Sequence, residues 1–405
     1  MNLDFMPSPS PEHPGLFIRD PYKFSDAMLI IPPLLVECLQ CFDGQGTDLD
    51  LRQMLVQLTN ELQVGDIERN LVETLSNAGF LEDEAFERMR ADRKREFAEK
   101  NVREPAHAGA AYPSDSASLR EKLAEYMHDD GEDTTVAAAA AANGNLFAIA
   151  APHVSPEGGW QSYRAAYRML KPEHRNRTFV ILATSHFGEP EKFGLTRKNF
   201  RTPLGDAVTD QGLVDWLAAR GGKAIEMEDY CHSFEHTVEL QVIFLQHVFG
   251  PGVKILPILV GQFARSLYKG GDPDDEERVK AFHEALSELR ELQGDRLFWI
   301  LGVDMAHMGA RYHDQFEASA GKGVMSEVAS RDQQRIAQIN AADAGSFWDL
   351  VRQNQDDLKW CGAAPFYTFL RTAPKMRGEL LKYEQWNIDD RSVVSFAGMA
   401  FNRVG

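Results

Sequence analysis

LFWILGVDMAH, residues 297–307, is an apolar run that ends in two residues able to do chemistry, Asp304 and His307. The run does not alternate apolar with polar, as a strand with one wet face would. Unbroken aliphatic and aromatic runs suit strands buried on both faces, as in a parallel sheet covered by helices. Three more stretches share this character: LFAIAAPH (146–153), TFVILATSH (178–186) and VKILPILVG (253–261). Helix-like stretches lie between them, notably 160–170, 211–220 and 276–293. The alternation predicts a three-layer α/β/α domain around a mostly parallel or mixed sheet.

Three of the four runs close alike, on His153, on Ser185-His186, and on Asp304 with His307. Ligands of open α/β sheets bind in the crevice outside the carboxyl ends of the strands. One histidine there is as readily a hydrogen-bonded structural residue as a ligand; three strand ends delivering His, His and Asp/His to one edge predict a metal site. Neutral imidazoles with one anionic oxygen and open positions suit non-haem iron. Zinc with three protein ligands and a water is chemically equivalent at this level.

HSFEHTVELQ (232–241) offers a second constellation, with His232, His236 and Glu239 at i, i+4 and i+7. On a helix these share one face, turned about 100° from the stripe Val238, Val242, Leu245 and Phe249. The helix is expected to stop at Gly250-Pro251. It is not a zincin motif, which needs Glu directly after the first His; Ser233 stands there. The bland alternative is that His236 and Glu239 brace neighbouring loops.

Toward the N-terminus the pattern changes. Residues 1–14 are Pro- and Ser-rich and expected to be loosely ordered. LIIPPLLVECLQCF, LDLRQMLVQLTNEL and IERNLVETLSNAGFL recur at helical spacing, with Gly79 at an expected C-cap. They predict a small helical or winged-helix-like module over 1–85. A charged connecting helix over 86–103 and the α/β domain over 104–405 complete the division. TTVAAAAAANGN (134–145) is low in complexity and reads as a surface linker.

The chain has 405 residues, a net charge of −18 and four cysteines. The acidic balance argues against a nucleic-acid partner. Cys38 and Cys41 have redox spacing but no complementary pair, so buried free thiols are expected. No signal peptide and no membrane span are read, and a cytoplasmic setting is expected.

AHAGAAYPSDSASL, AIAAPHVSPEGGWQSYRAAY, FVILATSHF, CHSFEHTVELQVIFLQ, ILPILVGQ, GVDMAHMG and CGAAPF occur in the order seen in the Memo family, which includes AmmeMemoRadiSam system protein B. The resemblance covers about residues 101–402. It implies a fold similar to class III extradiol dioxygenases, which use iron(II). The family's pocket histidines map onto His153 and His186. Its helix motif maps onto His232, Glu235, His236 and Glu239, and its strand-end motif onto Asp304, His307 and Gly309. Animal members hold iron or copper through two histidines and a cysteine placed in that last motif, where this chain has Ala306. His307, Asp304 or a helix histidine would then complete the shell, or metal would be absent. Ser155-Pro156 departs from the family's usual APHAGY and is expected to reshape the pocket rim. Cys361 is expected to be a packing thiol.

The leading expectation is a metal-dependent redox enzyme of dioxygenase type. His153 and His186, with His307 or Asp304, hold iron(II) (copper or zinc as alternatives). His236 or His232 acts as acid/base, and Glu239 orients a histidine. A small molecule or peptide would occupy the pocket. The competing expectation is a non-catalytic adaptor working with a radical-SAM partner, because the N-terminal module weakly resembles PqqD-like peptide chaperones. A zinc hydrolase is a third reading that nothing selects.

Overall fold

A computed structural model describes residues 3–128 and 145–404. All of the 134–145 linker stretch except Asn145 lies outside them. The chain divides into two compact units, Met1–Glu99 and Lys100–Gly405.

The first unit begins with a three-stranded antiparallel sheet, β1 (Asp4–Pro7), β2 (Leu16–Arg19) and β3 (Met28–Ile31), in the order β1-β2-β3. Part of the Pro-rich start is therefore a strand rather than loose chain. The helix expected over 29–42 does not form. Pro32 and Pro33 force the residues before them into extended backbone, so MLII pairs as a strand and short 3₁₀ turns follow at Pro33–Leu35 and Glu37–Phe42. Helices α1 (Asp48–Thr59), α2 (Gly65–Asn77) and α3 (Glu84–Glu99) complete the unit. Thr47 caps α1: its hydroxyl accepts from the Asp50 amide at 3.3 Å, and the Asp50 carboxylate accepts from the Thr47 amide at 2.8 Å. Gly79 follows α2 at φ +70°, a conformation glycine adopts without strain. Ile18, Ile31, Cys38, Leu51, Leu55, Leu71 and Leu75 form the core. Cys38 is thus a packed free thiol.

The second unit is built on a 12-stranded mixed sheet. Its strands are β4 (Val102–Arg103), β5 (Leu146–Ala151), β6 (Thr178–Thr184), β7 (Phe193–Leu195), β8 (Asn199–Thr202), β9 (Gly205–Thr209), β10 (Ile225–Met227), β11 (Lys254–Val260), β12 (Leu297–Gly302), β13 (His307–Gly309), β14 (Met376–Asp389) and β15 (Ser392–Arg403). The main path runs β13-β15-β5-β12-β6-β11-β9-β8-β4. The four apolar runs are its parallel centre, β5-β12-β6-β11, with β15 antiparallel beside β5. Every residue of β5, β6 and β12 is buried, as strands covered on both faces require. Helices form at Pro156–Tyr167, Gln211–Arg220 and Glu277–Gln293, and the family of layers is α/β/α.

The helix after the second histidine motif runs His236–Phe249 and ends at Gly250. It is buried on all sides from Thr237 to Gln246 rather than along one stripe. Gly302 makes this packing close: a Cβ there would stand 2.8 Å from the Thr237 carbonyl oxygen.

Candidate metal centre

Three of the four parallel strands of the centre deliver a functional side chain two residues past their ends. β5 stops at Ala151 and presents His153, β6 stops at Thr184 and presents His186, and β12 stops at Gly302 and presents Asp304. His236 opens the buried helix and joins them. His153, His186 and His236 each offer one ligand atom, and these atoms lie within 4.8 Å of one another. The rings of His153 and His186 are 4.9 Å apart, and His236 lies 5.2 Å from both.

The orientation of each ring follows from its Nδ1 partner. Nδ1 of His153 lies 3.0 Å from the Gly302 carbonyl, so it carries the hydrogen and leaves Nε2 as the basic nitrogen. Nδ1 of His186 is 3.1 Å, and Nδ1 of His236 3.0 Å, from the carboxylate of Glu235. That carboxylate also accepts from the His186 amide at 2.8 Å and the His236 amide at 3.0 Å. Burial, together with His186 and His236, pushes His153 well below the ordinary histidine range. Burial opposes charge on the His186–Glu235 pair as well. Their attraction outweighs it, holding His186 well above and Glu235 well below their ordinary values, with Cys361 adding to the effect on His186.

Asp304 is buried under the cluster. Its Oδ1 accepts from the His153 amide at 2.9 Å, and its Oδ2 is 3.5 Å from His153 Nε2. Burial pushes its carboxyl up to about 7. His307 sits aside, with Nδ1 against the Met305 and Lys359 carbonyls at 2.9 and 3.1 Å. Burial and His186 lower it to about 4.

A thiol also reaches the cluster, from a segment distant in sequence. Cys361 Sγ is 3.3 Å from His153 Nε2. Gly362 permits this approach: its amide donates to the Asp304 carbonyl at 3.0 Å, and a Cβ there would lie 2.6 Å from that oxygen. The position expected to supply sulfur, Ala306, is buried with its amide on Ser395 Oγ. The 3.3 Å between Cys361 Sγ and His153 Nε2 fits two donors on one ion. Nitrogen at about 2.1 Å and sulfur at about 2.3 Å from one metal stand roughly 3.1–3.6 Å apart between right-angle and tetrahedral geometry.

Besides His307, two more expected site residues lie outside the cluster. His232 is in a 3₁₀ turn, Tyr230–Ser233, because Glu235 has extended backbone (ψ 133°) and separates it from the helix. Its Nε2 is 3.1 Å from the Gly194 carbonyl and its Nδ1 is buried without a partner among the described residues. Glu239 forms a buried ion pair with Arg103, accepts from the Tyr112 hydroxyl, and accepts from the Ala106 and His107 amides at 3.1 Å. It ties the AHAGAAY segment to the helix. The carboxylate that orients histidines is instead Glu235, whose place in the helix motif was visible but whose role was not. His107 was likewise passed over within its motif; its ring lies 5.6 Å from that of His236 and its Nε2 2.7 Å from the Phe234 carbonyl. Pro156 starts the helix Pro156–Tyr167, which places Ser155 at the turn following His153.

No helix among the described residues is long and apolar enough to cross a membrane. A MEMO1 family protein of Aquifex aeolicus is 25% identical over 388 residues, covering 95% of each chain. An alignment of that length takes in most of the first unit. MEMO1 family proteins of Methanococcoides burtonii and Thermococcus kodakarensis are each 27% identical, covering 70% and 75% of this chain and 92% and 100% of their own. Residues 103–400 match the model of the Memo-like protein family; with the match running through every strand end that carries the site, the chain belongs to the Memo family.

Proposed function

We propose that the second unit is a metal-dependent redox protein with a non-haem iron site of dioxygenase type. The observation that carries this reading is the convergence of His153, His186 and Cys361, with the Nδ1 of both imidazoles already engaged. Two imidazoles and a thiolate suit iron(II), copper or zinc, and not magnesium or calcium. Such an ion, when bound, supplies a redox-active or Lewis-acidic centre. The chain supplies the rest. Glu235 holds His186 and His236 in place, and His236 takes or gives a proton at Nε2, its Nδ1 being committed. Asp304, held up to about 7, can keep a proton in the site near neutral pH. His153 and Asp304 are buried, and the side that carries His186 and His236 is open to solvent and to a ligand.

The test is anaerobic reconstitution with iron(II), copper or zinc, followed by desalting and elemental analysis. Wild type is expected to keep close to one ion per chain, and His153→Ala, His186→Ala and Cys361→Ser to lose it. A wild-type protein that retains no ion sinks the reading.

A second reading concerns the first unit and rests on its sheet. β3 pairs with β2 on one side, and no strand pairs with its other side among the described residues. Beside that open edge, Leu29, Ile31, Pro32 and Leu35 face Ile67 and Leu71 of α2 across a groove of about 410 Å³. An open edge next to an apolar groove suits an added strand from an extended peptide. Acidic residues outnumber basic ones more than two to one over 1–99, and Asp66 lines the groove. The favoured occupant is therefore a peptide with alternate apolar residues and Lys or Arg flanks, presented to a partner enzyme of radical-SAM type. Selection from a random displayed-peptide library on the full chain should return that pattern, with binding lost in Ile67→Asp. Selected peptides indifferent to Ile67→Asp would refute it.

A further inference from the structure

Two stretches far apart in the chain bring Asp304 and Cys361 to the cluster, and both are fastened to one acid that the cluster does not contain. Asp332, on the helix Val324–Asn340, is fully buried. Its Oδ1 accepts from the indole N–H of Trp360, the residue before Cys361, at 2.7 Å. Its Oδ2 accepts from the hydroxyls of Ser395 and Tyr383, each at 2.7 Å. Ser395 passes the connection on. Its hydroxyl oxygen accepts from the Ala306 amide at 2.8 Å, its carbonyl accepts from the Met305 amide at 2.8 Å, and its amide donates to the Ala306 carbonyl at 2.9 Å. Asp304 is thereby held by the chain that follows it, and Cys361 by the chain that precedes it.

A buried carboxylate is costly unless donors fill its oxygens. Here three donors from three separate elements meet that need, so a shift in any of them is felt by the others. Arg335, three residues on, is committed to Asp356 at 2.7 Å. Asp356 in turn accepts from the Trp360 amide at 2.8 Å, so the backbone and the indole of Trp360 both end on acids. Trp360 is only 3% exposed; it serves as a strut behind Cys361. The Tyr383 hydroxyl, from β14, makes a bond of the same length to Asp332 and leads to no residue of the cluster.

We propose that Asp332 is a positioning residue of the metal centre: its two oxygens hold the Cys361 stretch, through Trp360, and the Asp304 stretch, through Ser395, in one register against His153. Asp332 makes no hydrogen bond to His153, His186 or Cys361 among the described residues. It acts through the neighbours of the donors, as the residues that orient metal ligands from behind do. The place of the thiol against His153 is a property of the chain alone; only the consequence for an ion rests on the function proposed above.

The test removes one arm at a time from the full-length chain. Trp360→Phe deletes the indole donor behind Cys361, Ser395→Ala the hydroxyl behind Ala306, and Tyr383→Phe the arm that leads nowhere in the cluster. In metal-free protein, alkylation of Cys361 by iodoacetamide is followed by peptide mass spectrometry. With cobalt(II) added, binding and the sulfur-to-cobalt absorption per bound ion are read. Burial holds the Cys361 thiol up and opposes the thiolate that reacts, so Trp360→Phe should raise the alkylation rate several-fold. It should also weaken the sulfur-to-cobalt absorption and lower cobalt affinity by about tenfold or more. Ser395→Ala should lower cobalt affinity with a smaller effect on the thiol, and Tyr383→Phe should leave both readouts near wild type while lowering the melting temperature. Asp332→Leu should behave as Trp360→Phe. Asp332→Asn should restore the wild-type thiol rate, because its carbonyl oxygen can keep the indole while its NH₂ donates to hydroxyls free to turn. The proposal is overturned if folded Trp360→Phe leaves the alkylation rate unchanged or lowers it. It is equally overturned if Tyr383→Phe, at a matched loss of thermal stability, moves that rate as far. A wild type that binds no cobalt faults the metal reading alone, and the alkylation rates still decide the role of Asp332.

Discussion

The central sheet of Lys100–Gly405 and the three-stranded sheet of Met1–Glu99 differ in which of their boundaries does something. In the larger sheet the parallel core is enclosed, and interest gathers at the strand ends, where β5, β6 and β12 each release a polar side chain two residues on. In the smaller sheet the outer sides of β1 and β3 are unpaired among the described residues, and the apolar groove lies beside that of β3. Strand ends can fix single atoms in space, which suits an ion. An open edge presents a repeating row of amides and carbonyls, which suits a chain. Two boundaries of the same kind of structure thus fit two kinds of ligand.

The comparison can be broken by perturbing each boundary in turn. The largest effect is expected from Arg103→Met. Arg103 and Glu239 are both fully buried, and removing one member of such a pair costs about 3–5 kcal/mol, measurable by urea denaturation at pH 7. The pH dependence has a definite sign. Burial opposes ionisation of Glu239, but Arg103, the Tyr112 hydroxyl and His107 outweigh it and hold its carboxyl below the ordinary value. The stability from this pair is therefore present above the unfolded value of about 4.3 and is lost as pH falls through the folded one. The gap between wild type and Arg103→Met should narrow on acidification; a gap that widens contradicts the account.

A middle-sized effect is expected at Glu235. Removing the partner that orients a metal-binding histidine costs about 10–100-fold in affinity, so Glu235→Ala should release iron(II) to a chelator at correspondingly lower chelator concentration. If uptake is unchanged, the strand ends alone fix the rings and the carboxylate is dispensable.

The smallest effect on folding is expected at the other boundary. Met28 on β3 is 68% exposed, and Met28→Lys should change stability by no more than about 0.5 kcal/mol. A lysine on an open edge is nevertheless a common device against strand addition, so selected peptides should bind it several-fold less well. Unchanged peptide binding would locate the docking surface elsewhere.

The strand-end histidines were legible because the signal is local: an unbroken apolar run and a polar residue at a fixed distance after it. The approach of Cys361 to His153 was not, since the two stand 208 residues apart and meet only through the fold. His232 misled for the opposite reason. Its spacing to His236 suits a helix, but the extended backbone of Glu235 starts the helix after it. The strands of the first unit were missed because four-residue apolar runs have no period to read. Pro32-Pro33 was the signal that a helix over 29–42 overlooked.

Glu235 has one more consequence. Because its carboxylate receives the Nδ1 hydrogens of both His186 and His236, one acid sets the tautomer of two rings together. Both rings meet the same oxygen, Oε1, while Oε2 accepts from the His186 amide. In Glu235→Gln the carbonyl oxygen can keep both rings, and the NH₂ is set against that amide, donor against donor. The mismatch falls on the backbone that carries His186 and not on either imidazole. A single oxygen-to-nitrogen change would thereby reach the His186 ring through its own main chain.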